Sequence, residues 1–533
     1  MSSSFQKIFE KPIFILLAVN IIVGLFIFRD FGYSWDEPLF YDYGNALGYA
    51  YSPREWFSGH FEVDNSYGAS GDDHKTRGPA YLLLSREPVY LLEAFGLDQA
   101  SAWHLVNFLF FQLGVYFLYR LSRRWLKPSA ALAASALFAW QPMLWGHAFI
   151  NPKDPPFLTF LLASVCLGFE MVDRLREDRQ LKFSTVVFPA IILGITTSIR
   201  VLGPLAGLLV FIYLCAVVFQ NQNLRVSVSY HPNRGPWLIF SLYALIAMLT
   251  MFLTWPYLWE SPLTRFLDVL RFMSDNPTNL SVLFGGQVYR AGALPRRYLP
   301  FMLSTTLTEP VWILFIGGVI LGYRKLINQR PRGSNQMISL TLTLFWFLSL
   351  VAYVLIRKPA MYDGIRHFLF ILPPLFIFTG FAFEFLLDRF ASNWLYAGFV
   401  FLILLPGILG IARLHPYEYT YYNSFIGGTT GAFRNYETDY WLTCYKDAVD
   451  ELNTFAVEPV DLYVHREAYI AEYYGNKNIS VHELRGAADE VKSGDYVLVN
   501  TRANEDRRVL KDVSPVIQIG RGAALFCMIK RVP

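Results

Sequence analysis

An all-α polytopic membrane protein of about eleven transmembrane helices, with a small extracytoplasmic α/β domain at the C-terminus, is the fold class the sequence predicts. Three observations predict it. Only 17% of the 533 residues are charged, against roughly 25% in an average soluble domain, while 54% are hydrophobic and the mean hydropathy is +0.32. Eleven apolar segments approach the ~20 residues that a bilayer crossing needs. After about residue 414 the hydropathy falls and the pattern changes to short strands and an amphipathic helix. The formal net charge of +4 is too small to argue for nucleic acid as a partner, whereas the bilayer is one by composition.

The segments run near 12–28, 101–121, 129–149, 157–172, 184–199, 201–220, 237–255, 301–322, 337–356, 367–386 and 394–412. Lys7 and Lys11 precede the first, but no small-residue cleavage site follows it, so it reads as a retained helix rather than a signal peptide. The stretch 184–220 is too long for one comfortable helix, and "TTSIR" interrupts it, with Arg200 in the middle. Reading it as two spans puts Lys7/Lys11, Arg123/Arg124/Lys127, "DRLREDRQLK", the Arg225–Arg234 loop and "RKLINQRPR" on one side. Basic loops mark the cytoplasmic face. The expected topology in the plasma (inner) membrane is therefore N-terminus in and C-terminus out, with a membrane domain over 1–413 and an outer domain over 414–533.

That topology gathers the unusual loops on the outer face: 29–100, 150–156, 256–300 and 357–367. In the tail, "YKDAVDELNTF" reads as a helix, "VDLYVH" and "DYVLVN" as strands, and "PVIQIGRGAALFCMIK" as a strand pair. Cys166 and Cys215 fall in apolar runs and read as small core residues. Cys444 and Cys527 can pair if the tail faces an oxidising compartment.

Chemistry concentrates in those outer loops. In "GYSWDEPLFYDYG" the adjacent acids Asp36 and Glu37 leave the first span together. Asp36 before Pro38 also fits a helix cap. Asp154, in "NPKDPPF", emerges at the same face, and it too fits a cap. Convergent carboxylates at a water–lipid boundary suit deprotonation of an acceptor, or a divalent cation held by Asp36 and Asp154. No cofactor is otherwise implied. "GDDHKTRGPAYLLLSREPVY" places Lys75 and Arg77 before an interfacial helix, where either can grip a phosphate at headgroup depth or simply contact headgroups. Arg200 at an outer turn, and Arg366 and His367 at another outer mouth, are further phosphate-binding candidates; snorkelling is the plain alternative for each. Acids and phosphate-binding cations on one face suit sugar transfer from a lipid phosphate. A carboxylate takes the acceptor proton while positive charge stabilises the departing phosphate.

The chain resembles the integral-membrane GT-C glycosyltransferases, family-39-like, of the group around protein O-mannosyltransferases and the aminoarabinose transferases of lipid A. The matching elements are Asp36–Glu37 after the first span, "HKTRGPAYLLL", "NPKDPPFLTFLL", "YDGIRHFLFILPPL" at 362–375, and "HPYEYTYYNSFIGG" at 415–428 followed by "RNYETDYW". The resemblance implies a polyprenyl-phosphate-linked sugar donor, a protein, lipid or glycan acceptor hydroxyl, and an inverting transfer outside the cytoplasm. It implies Asp36 as base and Asp154 as a second active-site acid; Glu37, which points elsewhere on a helix, is assigned to support. "RGP" stands where relatives carry an "HPP"- or "KPP"-like form, which leaves the phosphate ligand open: Lys75, Arg77 or neither. The alternative reading is a secondary transporter or flippase of lipid-linked sugars. It calls for midplane charges on broken helices in paired halves; only the 184–220 hairpin hints at that.

Overall fold

A computed structural model describes residues 12–69, 71–177, 180–220, 226–228, 231–274, 278–328 and 334–533. Lys7 and Lys11 lie outside the described residues, as do parts of the basic loops around 173–182, 225–234 and 324–332.

The chain opens with α1 (Ile13–Ile27), followed by two short helices beside the bundle, α2 (Glu37–Ala50) and α3 (Ala80–Ala94). Then come α4 (Gln99–Ser122), α5 (Pro128–Ala139), α6 (Pro142–Ile150), α7 (Asp154–Glu177), α8 (Ser184–Ile199), α9 (Pro204–Gln220) and α10 (Pro236–Leu253). An amphipathic helix α11 (Pro262–Ser274) and the hairpin β1 (Ser281–Phe284)–β2 (Gln287–Arg290) lead to α12 (Tyr298–Thr306). The membrane part ends with α13 (Pro310–Asn328), α14 (Ser334–Arg357), α15 (Pro373–Leu387) and α16 (Asn393–Leu414). Among the described residues, six of these (α4, α7, α10, α13, α14, α16) are long and apolar enough to cross a bilayer, and α1, α5, α8, α9 and α15 are shorter apolar helices. Together the eleven occupy the eleven predicted segments. The interior helix α7 is almost wholly buried. By contrast α10 and α16 leave Leu245, Met248, Leu249, Trp394, Phe401 and Leu402 exposed, a surface suited to lipid rather than water.

Two predicted spans are broken, and the breaks support each other. Pro142 disfavours a helical conformation at Gln141, which is extended at φ −74°, ψ 119°, so the 129–149 segment divides into α5 and α6. The 301–322 segment divides likewise between α12 and α13, around Thr308. Polar groups freed inside an apolar bundle need partners. The Gln141 side chain supplies them: its Nε2 donates to Thr308 Oγ1 at 2.9 Å, and its Oε1 accepts from Thr308 N at 2.9 Å.

The 184–220 stretch forms two helices turning at Arg200–Gly203, as the two-span reading requires. Their far ends return together, since Gln180–Leu181 pairs with Val226–Val228. Gly78 packs so closely on the Ser198 carbonyl that any Cβ would collide with it. This close approach sets the segment before α3 against the end of α8.

The tail holds α17 (Tyr445–Phe455), β3 (Val460–Val464), α18 (Ala468–Tyr474), β4 (Ile479–Glu483), β5 (Tyr496–Asn500), β6 (Pro515–Arg521) and β7 (Ala524–Arg531). The sheet order is β4-β3-β5-β7-β6, with β3 parallel to β4 and β5, and β7 antiparallel to β5 and β6. Strand alternation sends Leu462, Val464 and Leu498 to one face, where α17 buries Ala448, Val449 and Leu452. Tyr463, Val497, Val499 and Met528 form a second cluster. Cys444 and Cys527 are joined in a disulfide with Cα atoms 6.2 Å apart, and Cys166 and Cys215 are free. The predicted helix and strands are present; α18 and β4 are additions. The tail is docked on the membrane part rather than hanging from it: the Tyr469 hydroxyl donates to the Trp35 carbonyl at 2.5 Å, and Tyr33 N donates to the Tyr474 hydroxyl at 2.9 Å.

Candidate functional site

Five separate stretches meet at one end of the bundle. Trp35 and Asp36 follow α1, Arg77 precedes α3, Lys153 precedes α7, Arg200 sits in the α8–α9 turn, and Tyr362, Arg366 and His367 precede α15. With Thr278 and Leu280 they line a cavity of about 240 Å³.

Asp36 and Glu37 are neighbours in sequence with different surroundings, because successive helical side chains point about 100° apart. Asp36 occupies the N-cap position of α2 but makes no capping hydrogen bond. Its carboxylate, 22% exposed, instead accepts from Arg366 Nη1 at 3.2 Å. Glu37 is buried and accepts from Ser34 N at 2.6 Å, Tyr41 Oη at 2.5 Å and His104 Nε2 at 3.0 Å. Glu37 therefore ties α2 to α4 and to the turn before it, while Asp36 faces the cavity.

Asp154 lies just behind the wall, 2% exposed. It is not the cap of α7, because Asn151 Oδ1 accepts from the backbone of both Lys153 and Asp154, at 3.1 and 2.9 Å. The Asp154 carboxylate accepts from Asn151 Nδ2 at 2.9 Å, is ion-paired with Arg200 and lies 3.7 Å from Arg366 Nη1. Arg366 Nη1 thus stands between Asp36 and Asp154. Its Nη2 donates to Asp363 Oδ2 at 2.9 Å, and its guanidinium stacks on Tyr362 and Trp441. Asp363 is fully buried in a left-handed conformation, φ +56°, and Gly364 after it has φ +66°. The turn lets Asp363 face back toward Arg366. Its Oδ1 accepts from Arg502 Nη1 at 2.6 Å, and its Oδ2 also accepts from Trp441 Nε1 at 3.2 Å.

The electrostatics are one-sided. Arg77, Lys153, Arg200 and Arg366 line a cavity whose wall, among the described residues, contains one carboxylate, Asp36. Arg77 and Lys153 both lie over the Phe40 ring, and neither has a carboxylate within ion-pair distance among the described residues. Desolvation, then the charges of Arg77 and Arg200, push the Lys153 ammonium well below its ordinary range. Desolvation, then Arg366 and Arg200, likewise press His367 toward the neutral imidazole. Such a site favours an anion. It does not suit a divalent cation between Asp36 and Asp154, since arginines already occupy both carboxylates. Among the described residues no group of three or more His, Cys, Asp or Glu forms a metal-binding cluster.

Of the residues singled out from sequence, Asp36, Arg77, Arg200, Arg366 and His367 line the cavity, and Asp154 backs it. Glu37 is set behind α2. Lys75 lies outside the lining, and its carbonyl accepts from Trp255 Nε1. Lys153, Tyr362 and Asp363 stand inside segments noted for their chemistry but were not picked out themselves. Arg502 was missed, and no local pattern around it marks a site.

No protein-family profile matches the chain, and no curated protein matches it in sequence. Solved structures match it in shape. The archaeal oligosaccharyltransferase AglB from Archaeoglobus fulgidus, solved with an inhibitory peptide and a dolichol-phosphate, matches with a TM-score of 0.51 at 11% identity, over 93% of this chain and 70% of its own. An Archaeoglobus fulgidus oligosaccharyltransferase tethered with an acceptor peptide gives 0.48 at 11% identity, over 94% and 70%. The arabinofuranosyltransferase AftD from Mycobacteria gives 0.41 at 13% identity, over 97% and 40%. With a bundle of apolar helices followed by a sheet domain, the chain shares its fold with the archaeal oligosaccharyltransferase AglB, in line with the resemblance to GT-C integral-membrane transferases.

Proposed function

We propose that the protein is a membrane glycosyltransferase that moves a sugar from a polyprenyl-phosphate donor to an acceptor hydroxyl on the extracytoplasmic face. The observation that carries this reading is the position of Asp36: a cavity-facing carboxylate, ion-paired with Arg366, in a wall that also carries Arg77, Lys153 and Arg200. The Asp36 carboxylate accepts the acceptor's hydroxyl proton as that oxygen attacks the anomeric carbon. The carbon–oxygen bond to phosphate breaks, and its electron pair leaves with the polyprenyl phosphate. Arg77, Lys153 and Arg200 take up the developing negative charge. A single displacement inverts the anomeric centre. Asp154 acts by holding Arg200 and Arg366 rather than by touching the sugar.

The dolichol-phosphate bound by the archaeal oligosaccharyltransferase supports a lipid-phosphate donor. Sidedness is supported by the convergence of loops assigned to the outer face, and by a disulfide, which persists in oxidising compartments. Residues 1–413 then form the catalytic membrane domain, and 414–533 the outer domain, in the inner membrane of the cell envelope. In the transporter alternative, charges belong at the bilayer midplane; here the site charges sit at helix ends.

Incubating the purified protein with a panel of radiolabelled polyprenyl-phosphate sugars tests the reading. One donor should lose label from the lipid fraction with wild type and not with Asp36→Asn. Equal consumption by both proteins, or none from any donor with wild type, overturns it.

A further inference from the structure

The C-terminal domain places a buried charge beside the site that the reaction above does not call on. Arg502 follows β5, is 4% exposed, and is held on several sides. Its Nη1 donates to the Tyr440 carbonyl at 2.7 Å as well as to Asp363, and its guanidinium lies 4.6 Å from the ring of Trp35, the residue before Asp36. The loop carrying it is fixed in turn. Ala503 and Asn504 are left-handed, and Arg434 bridges Asn504 and Asp506.

We propose that Arg502 is a positioning residue of the transfer: through Asp363 it sets Arg366 against Asp36, which makes the C-terminal domain part of the reacting centre. The inference rests on the transferase reading. Asp363 has two oxygens and two guanidinium partners, one to each oxygen. Arg502, which also lies 3.7 Å from the buried Glu437, offsets Asp363 from the tail side, so the charge of Arg366 remains available to Asp36 and Asp154. Without Arg502, a fully buried carboxylate keeps Arg366 as its cationic partner among the described residues, and the attraction draws Arg366 toward Asp363 and away from Asp36. Trp35 joins the arrangement from the other side. Its N donates to the Trp441 carbonyl at 3.2 Å, its ring carries Arg502, and its carbonyl accepts from Tyr469 of the tail. Asp36 is therefore braced by tail residues on the residue before it and on the arginine that pairs with it.

The test is kcat and donor KM of Arg502→Gln and Arg502→Lys in full-length protein, measured per folded molecule against wild type with the radiolabelled polyprenyl-phosphate sugar it consumes. A misplaced Arg366 lowers kcat by about tenfold to a hundredfold and changes donor KM less. Arg502→Lys keeps the charge and should recover part of the lost kcat. If Arg502→Gln does not fold, Arg502→Lys decides by the same split of kcat against KM. Fewer folded molecules with an unchanged kcat would mean a merely structural role and overturn the proposal. A wild type that transfers normally alongside unchanged variants defeats the positioning role alone, whereas a wild type that consumes no donor defeats the transferase reading and this proposal with it.

Discussion

The two ends of the helix bundle handle charge in opposite ways. At the end away from the cavity, four cations each meet a carboxylate: Arg120 with Glu170 at 2.5 Å, Arg124 with Asp173 at 2.6 Å, Lys127 with Asp388 at 2.5 Å and Lys325 with Glu384 at 2.5 Å. These pairs join α4 to α7, the start of α5 to the end of α15, and α13 to α15, so they hold helices in register. At the cavity end, Arg77, Lys153, Arg200 and Arg366 crowd around Asp36 and Asp154. Like charges gathered in a partly dry site repel one another and cost stability. Matched charge serves the fold; surplus charge of one sign serves a ligand of the other.

The largest effect that separates the ends is expected at Asp36. Asp36→Asn keeps the shape but removes the base, so transfer should fall by roughly 10²- to 10⁴-fold, while thermal unfolding of the protein changes little. A normal rate in a folded Asp36→Asn protein would return Asp36 to a structural part. Next comes Arg200→Gln, which strips a cation from the cavity and leaves Asp154 buried with less compensation. Transfer should drop by on the order of a hundredfold, with weaker donor binding, and a measured kcat/KM near wild type would remove Arg200 from the phosphate site.

Glu384→Gln probes the opposite end. The carboxylate is 6% exposed, accepts from Lys127 N at 2.8 Å and pairs with Lys325, so its loss should destabilise by about 1–3 kcal/mol. Activity per folded molecule should stay the same; a changed pH–rate profile would mean that the two ends are coupled. The Lys127–Asp388 pair is about half exposed on both sides, and Lys127→Met should shift stability by less than about 0.5 kcal/mol.

Lys153 sharpens the comparison through pH. Its folded value is depressed, so the protonated form is disfavoured in the empty site and the group costs stability below its unfolded value. A bound phosphate restores the proton. Donor binding should therefore take up protons, and affinity should fall as pH rises through the depressed folded value. Calorimetry in two buffers of different ionisation enthalpy reads this directly, and equal heats would contradict it. Lys153→Met should then raise the melting temperature while weakening binding.

Legibility in the sequence followed the range of the interactions. The α8–α9 hairpin was readable because chain length, the "TTSIR" break and basic loops agreed, and Arg200 came with it. The breaks at Gln141 and Thr308 were harder. Pro142 is a local signal, but the partner that makes an irregular backbone tolerable lies 167 residues away. Asp36 and Glu37 were separable by helical geometry, though only their contacts tell which one faces the cavity.

The sequence by itself determined the membrane fold, the eleven apolar segments, the strands and helix of the tail, and the loops where charge collects. These follow from hydropathy and short-range conformational preference, which act along the chain. The tertiary structure decided which charges meet. Asp154 became a buried anchor for arginines, Lys75 was left outside the cavity, and Arg502 reached Asp363 across 139 positions of sequence. Coulombic and hydrogen-bonding partners are chosen by distance in space, and only the packed helices set that distance.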